Sequence, residues 1–277
     1  MQDPLVLGID LGTSGVRIAV IDSSCALLQS ESAPYKIGLI NPFDWRDRCC
    51  TLIGRLNPDY RHRLKAIAVD GTSGTLLACD QQGLPLAEAL PYSFAYPNFI
   101  DQLQTLSPQG GPASSASGSL ARALHLVDQH KAPLLLRHQA DWISGWLLEN
   151  WSHGEEGNNL RLGWDLSKRA WPDSFISQPW WDALPEISAS GSVLGLLSPQ
   201  RAKDLDLPED LLVVAGTTDS NAAVLTADAD DDEGITVLGS TLVLKRFTDQ
   251  PIAPGPGTSS HRVGGRWLCG GASNAGA

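Results

Sequence analysis

Short apolar runs that end on Asp, Gly, Ser or Thr set the expected order of elements in this chain. Residues 5–9 (Leu-Val-Leu-Gly-Ile) form the first run, closing at Asp10. The turn Leu11-Gly-Thr-Ser-Gly15 follows, and residues 16–21 alternate in part before Asp22. Strand, glycine-rich turn, strand: the pattern predicts a hairpin with its polar residues gathered at the bend. A third extended stretch is expected over residues 28–36. Asp44 then reads as the cap of a helix to about residue 56, with Trp45, Cys49, Leu52 and Ile53 spaced to share a face. Residues 64–69 give a buried strand that ends at Asp70-Gly-Thr-Ser-Gly74. A further strand is expected over residues 75–79, with the turn Asp80-Gln-Gln-Gly83 after it.

Residues 107–119 are rich in Pro, Gly and Ser and read as a loop. A helix starting at Ser119 carries the stripe Leu120, Ala123, Leu124 and Val127. A second helix is expected over residues 134–151, with Trp142, Ile143, Trp146 and Leu147 on its apolar face. The Trp-rich stretch 164–181 covers a core or lines a cleft, because indole combines a large apolar body with one polar edge. Residues 211–215 predict a strand leading to Gly216-Thr-Thr-Asp-Ser220 and a small-residue helix over 221–226. The acidic run 228–233 reads as a solvated loop, since adjacent carboxylates there have no geometry that converges them on a metal. A domain boundary is placed here, giving domains 1–226 and 227–277. Beyond it come strands over 235–238 and 242–247 around Gly239-Ser-Thr241, then a Pro/Gly-rich loop and a last strand over 266–269. Strands interleaved with helical crossovers imply an α/β protein.

Composition narrows the choice. With 277 residues, 42% hydrophobic and 18% charged, the chain can bury a sizeable core, and it has no apolar run long enough to span a bilayer. The N-terminus shows no signal-peptide pattern, so a cytoplasmic location is expected. A formal net charge of −11 disfavours nucleic acid and anionic lipid as partners. The same field repels a nucleotide triphosphate, so any such site needs local backbone donors and a divalent cation. Five cysteines without C-x-x-C spacing (Cys25, Cys49, Cys50, Cys79, Cys269) read as reduced core thiols.

Four loops share one design, an apolar strand that ends in Asp, Gly, Ser or Thr: Asp10 to Gly15, Asp70 to Gly74, Gly216 to Ser220, and Gly239 to Thr241. Glycine lets backbone N–H groups approach an anion, hydroxyls add donors, and a carboxylate can hold Mg²⁺ through water or take a proton from a substrate hydroxyl. The first two loops also suggest the paired Asp-Thr/Ser-Gly loops of aspartic proteases. The Leu between Asp10 and Gly12, and the intervening helices, argue against that all-β architecture.

In sequence order, these motifs resemble the FGGY carbohydrate kinases across nearly the whole chain. Val6-Leu-Gly-Ile-Asp-Leu-Gly-Thr-Ser-Gly15 is similar to that family's first phosphate loop. Residues 69–86 resemble its sugar-contact strand and hairpin, and Asp141 to Leu147 with Asn158-Asn-Leu-Arg-Leu-Gly-Trp-Asp165 resemble the helix and loop beside the sugar. Ala215-Gly-Thr-Thr-Asp-Ser-Asn-Ala-Ala223 resembles the catalytic-base segment and Val237-Leu-Gly-Ser-Thr-Leu242 the second phosphate loop. Residues 158–165 look most like the cyanobacterial and plant xylulose-kinase-like branch, which implies D-ribulose or a similar ketose such as xylulose.

The resemblance implies a ribonuclease-H-like, actin-like ATPase fold and phosphoryl transfer from ATP with Mg²⁺ to a small sugar. Asp219 would be the general base and a substrate contact, with Ser73 and Asn158 also touching the sugar. Asp10, with Gly12, Thr13 and Ser14, would hold the transferred phosphate and, indirectly, Mg²⁺. Gly239, Ser240 and Thr241 would hold further ATP phosphates. Simpler roles stand beside these: Asp219 as N-cap of a helix from Asn221, Asp10 as a strand end and Ser73 as a turn former. Two departures are visible. Pro91-Tyr-Ser-Phe-Ala95 stands where many members carry an acidic sugar contact, and only 51 residues follow position 226 (277 − 226), short of the family's adenosine-binding lobe. A sugar-binding remnant without catalysis, and an actin-like ATPase that does not act on sugars, are the alternative expectations.

Overall fold

The computed structural model describes residues 3–107, 111–130, 133–227, 229–230, 233–238, 242–253, 255 and 257–273. It begins with β1 (Leu5–Leu11), β2 (Gly15–Ile21) and β3 (Leu27–Pro34), an antiparallel meander. Leu5, Leu7, Ile9 and Leu11 alternate into the core, as the period-two pattern requires. At the first bend a side chain on Gly15 would meet Ala33 O at 2.4 Å, so only glycine lets β3 lie this close. The chain then forms α1 (Pro42–Ile53), α2 (Pro58–Arg61) and β4 (Leu64–Gly71), which pairs parallel to β1.

Next come β5 (Leu76–Cys79), α3 (Ile100–Leu106) and α4 (Ser119–Gln129). They are followed by β6 (Leu135–His138), α5 (Gln139–Leu148), β7 (His153–Glu155) and α6 (Glu156–Asn159). After the 3-10 turn Leu160–Leu162, α7 (Asp173–Ile176), β8 (Glu186–Ser188), β9 (Val193–Leu196) and α8 (Pro199–Leu205) lead to β10 (Leu212–Thr218) and α9 (Asp219–Leu225). The last elements are β11 (Ile235–Val237), β12 (Leu242–Thr248), β13 (Thr258–Val263) and β14 (Arg266–Ser273).

One six-stranded sheet, ordered β3-β2-β1-β4-β10-β9, organises the molecule. Its meander plus the parallel strands β1, β4 and β10 form the expected ribonuclease-H-like α/β arrangement. Its principal core joins the inward residues of β1, β2 and β4 to Trp45, Leu52 and Ile53 of α1 and Trp142, Ile143 and Leu147 of α5. The two indoles meet edge to face, centroids 6.1 Å apart, and lock α1 against α5. A second core lies over α4, β5 and β6, where Phe175 and Trp180 pack from the Trp-rich stretch. The final strands make a separate four-stranded sheet, β11-β12-β14-β13.

Asn41, not Asp44, caps α1: its Oδ1 accepts from Asp44 N at 3.1 Å, while Asp44 Oδ2 accepts from Ile37 N at 2.6 Å and Gly38 N at 3.3 Å. Residues 135–138 extend along β5 as a strand, and the helix starts only at Gln139. The expected Pro/Gly-rich loop contains β13. Cys49, Cys79 and Cys269 are buried free thiols, whereas Cys25 is exposed in a turn at φ 63°. Among the described residues no helix is long and apolar enough to cross a membrane.

Candidate active site

The register of three adjacent strands brings the carboxylates together. Asp10 lies opposite Asp70 across β1 and β4, and Thr218, the last residue of β10, lies opposite Gly71. Asp219 therefore starts α9 at the same carboxyl edge of the sheet, where α/β proteins place their ligands. The N-cap of α9 is Thr218, whose Oγ1 accepts from Asn221 N at 3.3 Å. Asp219 is thus relieved of the capping role and is free for another.

The two loops over this edge are tied to each other from beneath. Gln139 Oε1 accepts from Thr72 N at 3.1 Å and from the Thr72 hydroxyl at 2.7 Å, while Gln139 Nε2 donates to Tyr35 Oη at 3.2 Å. Tyr35 Oη donates in turn to Gly12 O at 3.1 Å, and Tyr35 N to Ser14 O at 3.0 Å. In the first loop the Gly12 N–H closes the turn onto Gly15 O at 2.9 Å, which leaves the donors of Thr13 and Ser14, both exposed, for a ligand.

The three acids act on one another electrostatically. Burial pushes the Asp70 carboxyl up to about 7, and the charges of Asp10 and Asp219 push the same way. Asp219 is also raised by burial; the Ser220 N–H, at 2.7 Å from Oδ1, pulls it back, Asp10 raises it, and the Ser73 N–H and Lys245 lower it. Burial raises Asp10 against the pull of Arg17, whose Nη1 is 3.0 Å from Asp10 Oδ2. Asp10 Oδ1 is buried without a hydrogen-bond partner. Excess negative charge with an unsatisfied oxygen suits a hydrated divalent cation. No group of three His, Cys, Asp or Glu side chains converges on a metal among the described residues, so most of the ligands of such an ion would be water and phosphate oxygens.

Ser73 reaches this cluster through its backbone N–H to Asp219. Asn158 is placed differently. It is fully buried behind the end of β10, its Nδ2 donating to Glu155 Oε2 at 3.0 Å and Thr217 O at 3.4 Å, and its Oδ1 has no partner. Gly239, Ser240 and Thr241 lie outside the described residues.

Sequence reasoning missed the cationic side of the site. Arg161, exposed on the 3-10 turn, feels the charge of Asp219, and its Cδ approaches Gly74. Beneath the same glycine, Arg122 is fully buried: Nη1 donates to the carbonyls of Tyr92, Phe94 and Ser117 at 2.8–3.1 Å, and Nη2 has no partner. Tyr92 Oη lies 3.5 Å from Thr13 Oγ1, so the neutral stretch 91–95 bridges the first loop to Arg122. Lys245, from β12, closes the other side. A lysine inside the otherwise apolar run Leu242-Val-Leu-Lys245 was the available signal, because lysine is seldom buried without a partner.

No family model matches the chain. Solved structures do. It superposes on the ligand-bound xylulose kinase from Lactobacillus acidophilus with a TM-score of 0.83 at 16% identity, covering 98% of this chain and 60% of that one. For the glycerol kinase from Plasmodium falciparum with ADP the values are 0.81 and 14%, over 98% of this chain and 61% of that chain. For a carbohydrate kinase from Novosphingobium aromaticivorans they are 0.81 and 20%, over 98% and 64%. At these identities the likeness is one of fold, and the chain spans about three fifths of the length of these structures.

Proposed function

We propose that this chain carries the acceptor-activating centre of an ATP-dependent sugar kinase, with residues 1–226 as the sugar-binding domain and 227–277 as the start of the nucleotide-binding one. The observation that carries the reading is the placement of Asp10 and Asp219 within electrostatic range of each other, at the ends of strands flanking β4. The fold shared with xylulose, glycerol and other carbohydrate kinases supports it. A small ketose such as D-ribulose or xylulose is the acceptor implied by the resemblance of residues 158–165.

Asp219 accepts the proton of the sugar hydroxyl as that oxygen attacks the terminal phosphorus of ATP, the bond from that phosphorus to the bridging oxygen breaks, and ADP leaves with the electron pair. Burial keeps the carboxyl more basic than an ordinary aspartate, which favours proton transfer at neutral pH. The Ser220 and Ser73 N–H groups fix its orientation. Thr13 and Ser14 offer donors to the phosphoryl oxygens, and Gly239, Ser240 and Thr241 complete the nucleotide side in this reading. Bound MgATP brings a cation that offsets the charge of the phosphates and of Asp10. Positioning and charge stabilisation supply most of the acceleration in such transfers. The test is a coupled assay of the purified chain with MgATP and a panel of ketoses. Turnover that vanishes in Asp219→Ala supports the proposal; sugar binding without turnover identifies a binding protein, and ATP hydrolysis indifferent to sugar identifies another ATPase.

A further inference from the structure

We propose that Lys245 is the positioning residue of the base helix, reaching from the four-stranded sheet to hold the first turn of α9. Its Nζ donates to Asn221 Oδ1 at 2.8 Å and lies 3.4 Å from Ser220 Oγ and 3.5 Å from Ser220 O. Asn221 is fully buried, and its Nδ2 donates to Thr217 Oγ1 at 3.3 Å. One ammonium therefore grips the residues on the C-terminal side of Asp219 and, through Asn221, the strand end before it.

The side chain of Lys245 is buried although it belongs to a strand whose neighbours Leu244 and Arg246 are exposed. Placing a lysine there is costly without compensation. Among the described residues it forms no ion pair, and its three contacts are all to α9. The charged and titratable groups facing it are Asp219 from α9, Arg161 from the 3-10 turn and His261 from β13. Burial draws the ammonium down to about 8; Asp219 opposes that fall and Arg161 adds to it. Lys245 is consequently charged at neutral pH and releases α9 as the pH rises past that value. The base is held in place only while the second sheet is seated against the first.

The test uses amide hydrogen exchange over residues 219–225 in the full chain, corrected for intrinsic rates, with kinetics as a second arm. Lys245→Met lowers protection in α9 roughly tenfold or more, the scale of a lost charge-assisted hydrogen bond, and Lys245→Arg restores it. The wild type loses the same protection above about pH 8 while Lys245→Arg does not. If Lys245→Met does not fold, Lys245→Gln carries the comparison. Unchanged α9 protection in the neutral variants, or a Lys245→Arg chain as labile as Lys245→Met, overturns the proposal. Only the kinetic arm rests on Asp219 being the base of a kinase. There kcat falls in Lys245→Met with the sugar KM little changed, and a wild type without turnover would count against the kinase reading while the exchange result stood on its own.

Discussion

At the scale of single residues, the site is a problem of crowded negative charge. Asp10, Asp70 and Asp219 sit at one sheet edge, where Arg17 pairs with Asp10 and the charge of Lys245 acts on Asp219 from the other side. Asp219 has the base's role in the proposed reaction, so Asp219→Asn is expected to lower kcat by about 10²–10⁴ with a smaller change in sugar KM. A raised sugar KM with kcat unchanged would instead mark it as a binding residue. Asp70 makes a separate prediction about stability. Its carboxyl lies at about 7 in the folded chain against about 4 when unfolded, so the folded state binds the extra proton between those values. The resulting stabilisation is present at low pH and is lost as the pH rises through 7. Asp70→Asn removes the titration: thermal melts should show the variant gaining several degrees over wild type at pH 8 and almost nothing at pH 4. Equal shifts at both pH values would mean that burial and the neighbouring charges do not raise the Asp70 carboxyl.

At the scale of elements, capping and pairing decide where helices and strands begin. Asn41 caps α1 through Asp44 N, and Asp44 turns back to hold the Ile37 and Gly38 N–H groups. Asn41→Ala should cost about 1 kcal/mol in urea unfolding, and Asp44→Ala about 1–3 kcal/mol because two donors of the preceding loop lose their acceptor. A neutral Asn41→Ala would return the cap to Asp44. The elements legible in the sequence were those with a local signature: the first hairpin, the stripe of α1, and β4 with its glycine turn. Residues 135–138 were not legible as a strand, since the run Leu134-Leu-Leu ahead of the Trp helix fits either period and only long-range pairing with β5 decides. β13 was hidden because it too exists by pairing, in a stretch whose Pro and Gly argue locally for a loop. In the site, Asp10 and Asp219 could be read from Gly/Ser/Thr loops at strand ends. Arg122 and Arg161 could not, because each reaches the cluster from an element distant in sequence, and Lys245 left only the hint of a lysine inside an apolar run.

At the scale of the whole molecule, the two sheets differ in how firmly they are built. The six-stranded sheet is sandwiched by a continuous core that includes Trp45, Leu52, Ile67, Trp142 and Val213, all essentially inaccessible. The apolar cluster of the four-stranded sheet consists, among the described residues, of Val263 and Leu268 buried against Val224 of α9, with Ile235 and Phe247 partly covered. Hydrophobic stabilisation scales with apolar area removed from water, so the second sheet belongs to the low-stability end of the structure. Native-state hydrogen exchange should therefore open β12 and β14 in a sub-global step well below the free energy that opens β1 and β4. Leu268→Ala, which removes the buried side chain at the centre of that small cluster, should deepen the difference by about 2–5 kcal/mol while leaving the exchange of β1 and β4 unchanged. Simultaneous exchange of both sheets would show one cooperative unit and would remove the physical basis for treating them as lobes able to move apart. Because Val224 and Lys245 join the weaker sheet to α9, loosening that sheet should reach the Asp219 turn before it reaches any other part of the six-stranded sheet, so the α9 amides are expected to follow β12 rather than β10.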